Sequence, residues 1–247
     1  MKNLKYLFAQ PDYIEGIGNI YPIQLKDYDK FQECSNILYI SKNHFAEIDT
    51  PLLALIFLSV EHLGYKPDDL ILIFEKLFSL VLRKTVLLHS NNENIWFQTK
   101  NKLETETEDN IIINFFNYDE LRSTIMKQNL IFEQKIYKNK LVQEWANKVL
   151  ESRSKNSAKI SIEDIITTVS VYKSKNYDEL MEYSIYQIYA DFYRIRKMKK
   201  YDTDTLFATV AEKITIEDFA EEINMFKSPY DDLFVSSDKL NKFSAIT

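Results

Sequence analysis

The side chains able to act on a substrate are few and scattered. The three histidines, His44, His62 and His89, have no second histidine or cysteine three or four positions away, the spacing at which a helix sets two ligands on one face. A zinc centre needs three or four such ligands. His44 and His62 therefore read as satisfied polar groups at the rim of a core. The single cysteine, Cys34, follows Glu33 on an apolar helical stretch. A nucleophilic thiolate needs a nearby cation, so Cys34 reads as a buried structural thiol. Alone it can form no internal disulfide, which favours a reducing compartment, the cytoplasm by default.

Carboxylate pairs occur at Asp68 and Asp69, Glu221 and Glu222, and Asp231 and Asp232. Each pair is adjacent and its members point in diverging directions, so solvated caps and faces explain them. In "EGIGNIYP", Gly16 and Gly18 lack the third glycine of a dinucleotide loop, and neither GxxxxGK[ST] nor GxSxG occurs. The two glycines read as a turn between strands. No catalytic, cofactor or metal site is expected, and the chain reads as a non-enzymatic protein working through contacts.

Composition bounds what surrounds these residues. The hydrophobic fraction of 45% and aromatic fraction of 14% support a folded core. Three glycines in 247 residues favour helices joined by Asn, Asp, Ser and Lys. A net charge of −6 makes the whole-molecule field repel phosphate backbones, so no nucleic-acid partner is expected. The longest apolar stretch is broken by Glu61, His62, Asp68 and Asp69 before the ~18–20 residues a membrane span requires, and no membrane association is expected.

The fold class expected is mainly α with a small antiparallel β portion, an α+β part at residues 1–151 followed by an all-α part at 160–247. "LKYLFAQ" and "IGNIYPIQ" read as short strands, and residues 26–41 as a helix. Thr50 and Pro51 stand as N-cap and first residue of a helix that Gly64 ends. Pro67, Asp68 and Asp69 open the next, with Leu70, Phe74, Leu77, Phe78 and Val81 on its apolar face. This helix pair is expected at the centre of the first part. "TVLLHSNNENIWFQTK" reads as a hairpin turning at "SNNEN", "NIIINFF" as a third strand, and "LETETEDN" as a solvated loop. Asn117 caps the next helix, and Leu141, Val142, Trp145 and Val149 share a face of the one after.

The polar stretch "SRSKNSAK", residues 152–159, is the best linker. Beyond it, Ser161 and Asp164 have capping-box spacing, and "TIEDFAEEI" repeats that helix start. Within "YSIYQIYADFYRIRKMKK", Ile185, Ile188, Tyr189, Phe192 and Ile195 form one stripe, and Tyr183, Tyr186 and Tyr193 a neighbouring one. The first stripe is core. The tyrosines are either covered by flanking helices or a partner-binding surface, and the basic residues after them read as complementing a helix C-terminus. Tyr230, Leu233 and Phe234, set among acids near the end, have the composition of a segment that docks on a partner or packs back on its own domain.

The order of elements, carried by "NIYPIQLKDYDKFQECSNILYISKNHF", "FFNYDELRSTIMKQNLI" and "YSIYQIYADFYRI" with "TIEDFAEEI", resembles the tail assembly chaperones of tailed bacteriophages of Gram-positive hosts. The resemblance implies a cytoplasmic helical protein that binds the long tape-measure protein and keeps it soluble, and it carries no catalytic residue over. A structural or adaptor component of the tail or baseplate, and an α-rich inhibitor or binding module acting on a host protein, are the alternatives. Self-association stays open.

Overall fold

The computed structural model describes residues 4–45, 49–91, 95–99, 111–137, 139–156, 159–211, 214–231 and 233. Its centre is helix α4, Pro67–Leu82, opened by Pro67 with Asp68 and Asp69 in the first turn and closed by Arg83 in the left-handed conformation, φ 54°. Leu70, Phe74, Leu77, Phe78 and Val81 are all fully buried, as the apolar spacing requires. Phe74 stacks on Phe57 of α3 (Leu52–Leu58) at 5.7 Å and meets Phe97 of β4 (Ile95–Thr99) at 5.5 Å. Edge-on at 5.7 Å lies Tyr118 of α5, Tyr118–Gln128. Three other elements thus converge on this α4 ring, whose burial is worth ~2–3 kcal/mol.

Strands β3 (Val86–Ser90), β4 and β5 (Ile112–Ile113) form an antiparallel sheet in that order. Residues 92–94, within the expected turn, and the acidic 103–110 lie outside the described residues. Helix α4 protects the β3 edge: Val86 N–H donates to Ser79 Oγ at 3.0 Å and Leu88 N–H to Glu75 Oε1 at 2.8 Å. Side chains there replace the strand partner an open edge would seek. A second, two-stranded ribbon pairs β1 (Asp12–Ile14) with β2 (Gly18–Ile20). Its turn uses Gly16 at φ +76° and Gly18 at φ +96°, backbone positions that other residues adopt only with strain.

The remaining helices are α1 (Leu4–Leu7), α2 (Tyr28–Ser35), α6 (Lys140–Asn156), α7 (Ile162–Lys173), α8 (Tyr177–Met181) and α9 (Ile185–Ala208). The structure agrees with the α+β class and departs from the sequence reading locally. "LKYLFAQ" forms the turn α1 because helical winding carries Tyr6 against Tyr186 and Phe226, at 5.4 Å from each. Residues 26–41 split into α2 and the tighter turn Asn36–Tyr39. Helix α3 stops at Leu58, and Gly64 closes a following turn. Pro51, not Thr50, is the N-cap of α3. Asn117 is the N-cap residue of α5, as its spacing suggested, but its side chain bonds back to Asn114 N–H and the Ile112 carbonyl in the preceding turn and makes no cap bond to the helix.

Helix α6 runs through residues 152–156, so five of the eight residues of the expected linker are helical. Leu141 and Trp145 on it are exposed, while Ala146 is buried. Two long-range bonds tie α9 to the first part: Leu25 N–H donates to the Tyr183 carbonyl at 2.8 Å, and Ile185 N–H to that of Ile23 at 3.1 Å. Ile185 packs into the main core, whereas Ile188, Phe192 and Ile195 pack with Ile165, Val169 and Leu180. Tyr186 packs with Tyr6 and Met225 in a third cluster, so helix α9 serves three apolar clusters, which explains its wide apolar arc.

Candidate functional site

Between α2, the chain at 129–132 and α9 lies a groove of about 430 Å³. Rings dominate it: Tyr28 and Phe31 come from α2, Tyr39 from the turn after it, and Tyr189 and Tyr193 from α9. Tyr28 and Tyr189 have their hydroxyl pKa raised, first by burial. They stay neutral and able to donate hydrogen bonds at neutral pH. The Tyr28 oxygen accepts from Gln32 Nε2 at 2.6 Å.

The fourth wall is an irregular strap, residues 214–231. Met225, Lys227 and Pro229 line this groove, whereas Phe226 and Ser228 line a second one of about 390 Å³ that also takes in Arg122, Met126, Lys127 and Lys135. Lys127 sits over the Phe226 ring at 5.6 Å. Arg122, buried on α5, donates from Nε to the Leu38 carbonyl at 3.0 Å and lies 3.6 Å from Glu133.

Upstream, the strap follows α9 antiparallel to it. Glu217 meets Lys200 at 3.4 Å, Glu221 pairs with Lys197, and Arg194 donates to the carbonyls of Phe219 and Glu221. Phe219 abuts Tyr201 at 5.3 Å, and Phe226 abuts Tyr186 at 5.7 Å. "TIEDFAEEI" is thus not the helix its spacing suggested: the Asp218 carboxylate accepts from Ala220 N–H at 2.8 Å in a local turn. The basic residues from Arg194 to Lys200 stand mid-helix, since α9 continues to Ala208. Arg194, Lys197 and Lys200 among them meet the strap, whereas Arg196 lies over Phe192 and Lys199 over Tyr172.

The six candidate contact residues are dispersed. Tyr193, 40% exposed, lines the groove. Tyr230 is half-buried beside the groove's end, its hydroxyl pKa raised by burial and then by Tyr137 and Tyr39. Tyr186 is covered by this chain's own Tyr6 and Phe226 and is 3% exposed. Tyr183 packs in the α7–α9 cluster beneath Lys173 and Lys175, 5.5 and 5.9 Å from its ring. Leu233 is buried, and Phe234 lies outside the described residues. The sequence reading did not select Tyr28, Tyr39 and Met225, which meet only through long-range packing.

Cys34 is buried, and burial pushes its thiol up to about 11. His44 closes a turn with Ser41, Nδ1 lying 3.2 Å from the Ser41 backbone nitrogen, and His89 stacks on Trp96 at 6.0 Å. Among the described residues no cluster of His, Cys, Asp or Glu could hold a metal ion, and no helix is long and apolar enough to cross a membrane.

The family described as YomV second domain matches residues 153–224, which include α7, α8, α9 and the start of the strap. The SPbeta prophage-derived protein YomV of Bacillus subtilis (strain 168) is 29% identical over 132 residues, 53% of this chain and 56% of that protein. The match thus spans about half the length of the curated relative. No solved structure matches. The chain is similar to a phage protein of a Gram-positive bacterium.

Proposed function

We propose that this is a phage-encoded, non-enzymatic assembly protein that binds an apolar helical segment of another phage protein, and that its client is the tape-measure protein during tail assembly. The observation carrying the reading is the ring-lined groove walled by Tyr28, Tyr39, Tyr189 and Tyr193. A client that exposes apolar helical stripes until the tail tube covers them needs a reversible apolar cover. Tyrosine suits that task, since its ring buries area at low entropic cost and its hydroxyl tolerates re-exposure to water. The similarity to a prophage-derived protein supports the phage setting.

The test is affinity purification of the tagged chain from cells that express it naturally, with cross-linking and mass spectrometry, beside analysis of mature particles. A long helical client in the lysate and no copy in the particle is the expected result. A fixed copy number in the particle would instead assign a structural role.

A further inference from the structure

The segment from Thr215 to Phe226 carries helix signals without forming a helix. Thr215 and Asp218 have capping-box spacing, and Ile216, Phe219, Ile223 and Phe226 recur at three- and four-residue steps. Instead, the segment lies along α9, held by two ion pairs, by Arg194 donating to two of its carbonyls, and by ring contacts of Phe219 with Tyr201 and of Phe226 with Tyr186 and Tyr6. The acids of both ion pairs are exposed, and pairs of that kind hold weakly. Ile216 and Phe219 remain 42% and 43% exposed, and only Met225 is buried in this stretch. The surface beneath is more regular than what covers it: Arg194, Lys197 and Lys200 recur at three-residue steps on α9.

We propose that the strap occupies in cis a docking surface for an acidic amphipathic helix of a partner protein, and that such a helix displaces it. Charge complementarity names the occupant. Glu217 and Glu221, four residues apart, meet Lys200 and Lys197, and a true helix would set two such acids on one face toward the same cations. Apolar residues at the spacing of Phe219, Ile223 and Phe226 would replace those anchors. Such a ligand would keep its backbone hydrogen bonds, most of which the strap forgoes. The stretch of α9 from Tyr186 to Lys200 is about 21 Å long, which a partner helix of about 14 residues would span.

Displacement has a consequence for the groove. Met225 lines one groove and Phe226 the other, so lifting them would widen both and remove Phe226 from the Tyr186 ring. This deepens the assembly-protein reading, on which the partner's identity rests; the cis occupation is a property of this chain alone.

The probe is a fluorescein-labelled peptide of residues 214–227, titrated by anisotropy into the full chain. The chain with Glu217→Arg and Glu221→Arg, whose strap the charge reversal releases, is expected to bind it at least tenfold more tightly than the native chain does. The helical circular dichroism of the pair should increase on mixing. Lys197→Glu with Lys200→Glu should abolish binding, and Phe219→Ala, which keeps every charge, should tighten it as the double reversal does. Equal affinity of native and strap-reversed chains would overturn the proposal. A native dimer that the peptide dissociates would also overturn it, by making a second copy's strap the occupant. Failure to recover a tape-measure protein from cells would sink the assembly reading and leave these titrations unchanged.

Discussion

The side-chain oxygen of Asn129 accepts the backbone N–H of Ile23 at 3.1 Å, across 106 positions of sequence. Its amide nitrogen donates to the Ile125 carbonyl at 2.8 Å, and the residue is 4% exposed. The carbonyl of Ile23 in turn accepts from Ile185 N–H at the start of α9. One residue in the N-terminal segment is therefore clamped by α5 on its donor side and by α9 on its acceptor side. The neighbouring Gln128 donates to the Ile20 carbonyl at 2.8 Å and to Asp12 at 2.9 Å.

Asn129→Ala should destabilise the protein by about 1–3 kcal/mol, because it leaves the buried Ile23 N–H without its acceptor. Urea denaturation with an unchanged slope and a lowered midpoint is the expected result. An unchanged midpoint would mean that the clamp is not needed to hold α9 in place.

Tyr186 and Tyr193 are seven positions apart on α9 and should behave oppositely. Tyr186→Ala removes a ring packed on Tyr6 and Phe226 and should cost about 3 kcal/mol of stability. Tyr193→Ala should change stability by less than about 1 kcal/mol while weakening the client in the affinity purification. Equal stability losses would place Tyr193 in the core and remove it from the groove.

What was legible in the sequence follows from the range of the physics involved. Helix α4 was readable because Pro67, two early acids and a three- and four-residue apolar rhythm all act within sixteen residues. The sheet was readable for similar reasons. The strap was misread because its local signals do favour a helix, and the competing forces come from Arg194, Lys197 and Tyr201 on another element. The groove was invisible because Tyr28, Tyr39 and Tyr193 meet only once α2 and α9 have packed. The break before α9 carried a local signal that went unread, Ser184 with Gln187 in capping-box spacing.

That cap gives the third prediction. Ser184 is fully buried; its hydroxyl accepts from Gln187 N–H at 3.2 Å, and Gln187 returns a bond to Ser184 N–H at 2.8 Å. Ser184→Ala should cost about 1–2 kcal/mol, because it leaves the part-buried Gln187 N–H without its cap acceptor. Hydrogen exchange at Gln187 and Ile188 should accelerate first. Loss confined to the far end of α9 would refute the role of this cap.

Alkaline conditions test the buried acids that must stay protonated. Cys34 has an ordinary value of 9.0 and is pushed up to about 11 in the fold, desolvation being the main cause. A raised folded value means that its contribution is fully present below pH 9.0 and lost as pH rises through about 11, because the unfolded thiol ionises first. The slope approaches about 1.4 kcal/mol per pH unit in that window. Tyr28, Tyr118 and Tyr189 are shifted in the same direction by burial and steepen the loss above pH 10. Unfolding free energies measured from pH 8 to 11 should therefore fall continuously, and Cys34→Ala should flatten the curve between pH 9 and 10 while leaving the steeper limb. Parallel curves for the native and Cys34→Ala chains would show that the thiol is not desolvated in solution. Reaction of native Cys34 with a thiol reagent at pH 8 should likewise be slow and become immediate in denaturant, since so small a fraction of the buried group is thiolate.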